Sequence, residues 1–169
     1  MSNMDTAVQD EKVRSAAYQL LTKRGVSMDD LVDLVEYLQK PYYPDLTREQ
    51  CLHNIQRVLE KREIQNAIIT GIQLDMLAEQ KALVEPLQCI VETDEGLYGV
   101  DEVLALAIVN VYGSIGFTSY GFIDKVKPGI LKTLNEKKEG VCHTFLDDIV
   151  GAIAAAAASR LAHRRFGTK

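Results

Sequence analysis

The stretch TFLDDIVGAIAAAAASRLAHRRF, residues 144–166, decides the fold. Thr144 suits a helix N-cap through its hydroxyl. Asp147 and Asp148 put negative charge at the positive end of the helix dipole, and Arg160, His163, Arg164 and Arg165 stand at the negative end. Residues 149–158 are all apolar or glycine, and most carry nothing larger than a methyl group. Such a helix has no polar face, so neighbours can approach its backbone from every side, and it reads as the buried axis of a helical domain. Ten residues fall well short of the roughly 20 that cross a bilayer, so no transmembrane segment is expected here.

The entrance to this helix carries the first chemical signal. Adjacent helical residues point about 100° apart, so Asp147 and Asp148 cannot share one solvent face. At least one is expected to turn inward, where a carboxylate needs a cation, hydrogen-bond donors or a metal beside it.

The 169 residues suit one domain with a single core. A formal charge of −5 and a pI near 5.2 exclude a general attraction to nucleic acid or to anionic lipid. Cys51, Cys89 and Cys142 have no paired spacing for zinc and follow no secretory signal, so free thiols in a cytoplasmic protein are expected. Strand-like alternation is lacking while helical spacing recurs throughout, which makes the fold all-α. Five to seven helices are expected around segment 144–166, with N-terminal helices in 1–62 and a core in 63–169.

Taken in order, residues 6–23 carry an apolar stripe that stops at Gly25. Ser27 with Asp30, and Thr47 with Gln50, have the spacing of capping boxes that open two further helices. The tyrosines 42 and 43 lie in a short proline-bounded connection read as packed, and His53 reads as a surface residue. Residues 63–80 form another long helix in which Asp75 is expected to be solvated or hydrogen-bonded, and Pro86 opens a brief one.

Between residues 85 and 102 the charged side chains are Glu85, Glu92, Asp94, Glu95, Asp101 and Glu102, with no Lys or Arg among them. Asp101 and Glu102 lead into residues 103–109, which read as a second buried helix, repeating the pattern of Asp147 and Asp148. If the two entrances meet, hard oxygen ligands converge as Mg²⁺ or Mn²⁺ requires, and a bound phosphate can complete the coordination. Between them, residues 110–129 contain glycines expected to interrupt a helix and free backbone amides for an anion. Asp124, Lys125 and Lys127 add an acid and two cations, whereas Lys132, Lys137 and Lys138 read as solvated. His143, at the helix entry, is a candidate acid/base group.

Three ordered blocks now carry a resemblance: YGVDE at 98–102, FIDKVKP at 122–128 and LDDIVG at 146–151. They resemble the acidic blocks of the phosphatidylglycerophosphatase A family, most closely its soluble, all-helical branch, the low-temperature-requirement C-like proteins of Gram-positive bacteria. The likeness covers roughly residues 64–160. Membrane-embedded members have a glycine-, proline- and threonine-rich block near the N-terminus and several apolar spans, which are lacking here. Where an arginine usually stands three residues before the central aspartate, this chain has Gly121.

The resemblance implies a Mg²⁺-dependent phosphatase that converts phosphatidylglycerophosphate to phosphatidylglycerol and phosphate. Asp101, Glu102, Asp124, Asp147 and Asp148 would hold Mg²⁺, with Mn²⁺ as a substitute. Asp101, Asp124 and Asp148 would carry the chemistry, with water or an aspartyl group as nucleophile, and Lys125 and Lys127 would bind the phosphate of a small molecule or lipid headgroup. A homo-oligomer is expected, in the cytoplasm or peripherally at the inner face of the membrane. The alternative is a non-catalytic helical protein that binds itself or a partner and uses these acids only to cap helices.

Overall fold

The computed structural model describes residues 3–166, and side chains from 8 to 164, which leaves the side chains of Thr6 and Arg165 outside the described set. In chain order the helices are α1 (Asn3–Lys23), α2 (Met28–Gln39), α3 (Arg48–Leu59), α4 (Arg62–Glu79), α5 (Leu87–Thr93) and α6 (Val100–Val109). A 3₁₀ turn (Asn110–Tyr112) leads into α7 (Gly113–Val126), followed by α8 (Ile130–Leu134) and α9 (Leu146–Phe166). The fold is all-α, and among the described residues no strand forms. Among the described residues six helices pack on α9, within the expected five to seven.

The capping spacings act as the sequence implies. Asp30 N–H donates to Ser27 Oγ at 3.1 Å and Ser27 N–H donates back to Asp30 Oδ2 at 2.8 Å, while Thr47 and Gln50 make the same reciprocal pair. Gly25 ends α1 with φ +81°, a conformation that a side chain disfavours.

Helix α9 is the axis. Residues 149, 150 and 152–159 have no exposed surface, because α2, α3, α4, α6, α7 and α8 all pack on it. Its methyl-sized surface lets backbones come close, and Gly71 of α4 shows how close. A Cβ built there would lie 2.4 Å from Ile149 Cδ1 and 3.0 Å from both Phe145 Cβ and Leu104 Cδ2. The glycine is therefore where α4, α6 and the start of α9 meet without room for a methyl group.

The start of α9 is buried, and its cap differs from expectation. The Thr144 hydroxyl donates to Val91 O at 2.6 Å instead of capping its own helix. Asp75, from α4, supplies the acceptors: Phe145 N–H donates to Asp75 Oδ1 at 3.0 Å and Leu146 N–H donates to Asp75 Oδ2 at 3.0 Å. The Cys142 thiol donates to the same carboxylate at 3.5 Å. Asp75 is thus fully buried and not solvated. Burial pushes its pKa up to about 7, against the opposing pull of the two amides, the thiol and Arg24. The connector ahead of α9 is tied down as well. Arg24 donates to both Glu79 oxygens, at 2.9 and 2.6 Å, and to Cys142 O at 2.6 Å, while Cys142 N–H donates to Glu79 Oε1 at 2.9 Å.

Two further expectations change. Helix α6 is buried on one side only: Ala105, Ile108 and Val109 face the core, whereas Val103 is 64% exposed. Only two of the glycines of 110–129 stand where one helix meets the next, Gly113 at φ +72° and Gly129 at φ +55°, whereas Gly116 and Gly121 lie inside α7 and do not interrupt it.

Gly71→Ala is expected to lower stability by about 1–3 kcal/mol through overpacking, despite the better helix propensity of alanine. Gly151→Ala, whose new Cβ would find only ordinary contacts of 3.6 Å or more, is expected to be neutral or stabilising by up to about 1 kcal/mol; thermal melts of both variants check the pair. Because the folded pKa of Asp75 lies above its ordinary value of 3.8, its contribution is full below that value and is lost as pH rises to about 7. Stability measured from pH 4 to 7.5 should fall less steeply in Asp75→Asn than in the wild type, and Asp75→Ala should cost about 2–4 kcal/mol by orphaning two buried amides.

Candidate functional site

Three chain directions bring the acidic blocks to one end of the bundle. Helix α6 begins beside the start of α9, as the influence of Asp101 on Asp148 shows. The 3₁₀ turn lies far along α9, where Ser159 Oγ donates to Tyr112 O at 2.8 Å. Helix α7 then returns, and its last turn reaches Asp147 and Asp148. The two carboxylate pairs therefore stand at one end of the axis, with Asp124 joining them from α7.

Lys127 is the centre of the cluster. Its Nζ donates to Asp124 Oδ1 at 2.5 Å and to Asp147 Oδ2 at 2.7 Å, and lies 3.7 Å from Asp148 Oδ1. Burial alone would make the ammonium easier to deprotonate, but Asp147 and Asp124 reverse this and raise its pKa. The backbone of Lys127 has φ +47°, a left-handed conformation that costs a non-glycine residue about 1–2 kcal/mol. Its N–H ends α7 by donating to Ile123 O at 2.8 Å, so the strained residue both stops the helix and aims its side chain at α9.

One ammonium does not balance the acids. Asp148 is buried and its pKa is raised by that burial and by Asp147, Asp124 and Asp101; Asp147 is raised by burial against the pull of Lys127. Asp101 is raised by burial and by sharing a hydrogen bond with Glu102. Asp101 Oδ1 is buried with no hydrogen-bond partner, and so is the hydroxyl of Tyr120, whose ionisation is opposed by burial and by Asp148 and Asp124. Glu102 is exposed beside Asp101. Lys125 is exposed on the last turn of α7 and makes no ion pair among the described residues.

A small cavity of about 100 Å³ adjoins the cluster, with Asp147, His143, Thr144, Asp94 and Lys138 in its walls. His143 donates from Nδ1 to Leu134 O at 2.9 Å, and burial lowers its pKa, so the ring is neutral with Nε2 as its basic nitrogen. A larger cavity, about 660 Å³, lies elsewhere. It is lined by Tyr37, Tyr42, Ile115, Ser119 and Phe122 on the side of α7 turned away from Asp124, and Tyr42, read as packed, is exposed there.

The donor set suits a hard divalent cation. It is all oxygen, one buried acceptor lacks a partner, and burial together with mutual repulsion holds protons on acids that a cation would release. Among the described residues no three His, Cys, Asp or Glu side chains converge as ligands of one ion, because Lys127 takes the place between Asp124, Asp147 and Asp148. Asp101, Glu102 and Asp148 are the acids that Lys127 leaves least satisfied. Tyr120 escaped the sequence reading, although its position four residues before Asp124 puts both on one helical face once α7 is read as a helix.

Lys127→Met keeps the backbone strain and removes the charge. It is expected to cost about 2–3 kcal/mol at pH 8 and clearly less at pH 5, because the abandoned acids take up protons as pH falls; denaturant melts at both pH values read the difference.

Residues 19–163 match the family model for phosphatidylglycerophosphatase A. The chain is 65% identical over 161 residues to the uncharacterized protein YutG of Bacillus subtilis, covering 95% of this chain and 97% of that protein. The fold matches the crystal structure of the low temperature requirement C protein of Listeria monocytogenes with a TM-score of 0.89, at 63% identity, over 91% of this chain and 97% of that one. A structure from Bacillus stearothermophilus, of a protein of unknown function, matches with a TM-score of 0.87 at 66% identity, over 89% and 94% of the two chains. A model match across most of the length, with the acidic blocks gathered at one end of the axis helix, makes this chain a member of the phosphatidylglycerophosphatase A family.

Proposed function

We propose that the chain is a Mg²⁺-dependent phosphatase that hydrolyses a phosphate monoester, with phosphatidylglycerophosphate as substrate. The observation that supports this most is the convergence of Asp124, Asp147 and Asp148 around one lysine, with Asp101 acting on Asp148 and one buried Asp101 oxygen left unpaired. Asp101 and Asp148 would hold the cation, with water and phosphate oxygens completing its shell, and Asp124 and Asp147 would hold Lys127 at its edge. When bound, the metal would neutralise phosphate oxygens and make a coordinated water more acidic. Lys127 offers the phosphate a cation that two carboxylates orient, and the α9 entrance buries Asp147 and Asp148 away from bulk water.

A second reading has its own support: Lys127 already pairs with three of the acids, as a purely structural network would. Metal response separates the two. Saturating Mg²⁺ should raise the melting temperature of the wild type and not of Asp148→Asn or Asp101→Asn, and a wild type without any shift would leave only the structural reading. Phosphate release from phosphatidylglycerophosphate should drop about 10²–10³-fold in Asp148→Asn. Because the cluster acids bind protons more tightly than free carboxylates, the Mg²⁺-induced shift should grow from pH 6 to pH 8 as those protons leave.

A further inference from the structure

The end of the bundle that carries the acids also carries apolar side chains that none of the described residues covers. In the loop before α6, Tyr98 turns inward and sets its ring edge-on to Phe145, centroids 5.8 Å apart, which anchors the loop over the start of α9. Its neighbour Leu97 is left 93% exposed. On the first turns of α6, Val100 is 49% and Val103 64% exposed, on the same helical face at a spacing of three and directly flanking Asp101 and Glu102. Val126 adds a half-exposed side chain next to Lys127. Within the wider stretch Val100–Val126 an 18-residue window has a mean hydropathy of 1.5, yet only 28% of that window is buried. It does not run straight, since Gly113 turns it back along α9, so its surplus apolar surface lies on the outside of the bundle. Exposed apolar side chains that rim a site for a phosphorylated headgroup match an amphiphile: phosphate in the cluster, acyl region against the rim.

We propose that Leu97, Val100 and Val103 seat the acid end of the bundle on a lipid bilayer surface, so that the cluster meets its phosphate at the headgroup level. This rests on the lipid-phosphate reading of the site. Attachment is by shallow apolar insertion and not by charge, because Asp94, Glu95 and Glu102 beside the rim are exposed acids that an anionic surface repels.

The chain contains no tryptophan, so Leu97→Trp places a unique fluorophore at the tip of the rim. With vesicles of phosphatidylcholine containing a minority of phosphatidylglycerol and millimolar Mg²⁺, its emission should shift to the blue and be quenched by brominated acyl chains. Co-sedimentation with the same vesicles should weaken at least about tenfold in Leu97→Asp/Val103→Asp, two exposed positions whose melting temperature serves as the folding control. That double variant should hydrolyse soluble glycerol phosphate at the wild-type rate and vesicle-borne substrate much more slowly. A wild type that turns over glycerol phosphate but neither sediments with vesicles nor shows quenching overturns the docking and spares the phosphatase. Vesicle binding without any hydrolysis leaves the docking standing and removes the phosphatase. A blue shift that needs no lipid and grows with protein concentration shows that a second copy covers the rim, and overturns the proposal.

Discussion

A helix that begins inside a protein has amides that water cannot reach, and the rest of this structure follows from how that need is met. At the start of α9 the acceptors come from Asp75, a residue some seventy positions earlier in the chain. A carboxylate there binds the positive end of the helix dipole, and its own burial holds its pKa near 7. Its placement requires α4 to pass beside the entrance, and Gly71, one turn earlier on α4, makes the approach close enough. Arg24 and Glu79 then fix the connector so that the entrance cannot drift from its cap.

With the entrance held, Asp147 and Asp148 are buried whatever their own preference, and a cation has to come to them. Lys127 reaches them only because α7 stops in a left-handed residue at the right place. The strain is local and the benefit is not: two helices that are separate in sequence, α7 and α9, meet at one ammonium. The acids that Lys127 does not satisfy, Asp101 above all, give the cluster its remaining negative character and its affinity for protons.

How much of this was legible in the chain depends on the range of the interaction involved. The capping boxes of Ser27 and Thr47, the stop at Gly25 and the buried small-residue axis are contacts within a few residues, and spacing alone reveals them. The inward turn of Asp147 and Asp148 was also legible, because adjacent helical residues cannot share one solvent face, whereas the meeting of the two acidic pairs entered only as a condition of the metal reading. Asp75 was not, since a carboxylate within a helix gives no sign of a partner seventy residues away. Residues 103–109 misled for a related reason: unbroken apolar sequence signals burial, and Val103 is apolar yet exposed. The glycines of α7 read as breaks because helix propensity is local, while packing on α9 settles the outcome.

The coat around α9 has a further meaning. A helix surfaced with methyl groups on all sides is at home in hydrocarbon, and here α2 and α3 stand where acyl chains would otherwise lie. The N-terminal third of the chain thus works as a proteinaceous substitute for solvent, recreating in water the dielectric that a bilayer interior provides. The acid-rich end of the axis is in this way carried on a body whose other helices enclose the methyl-sized surface of α9.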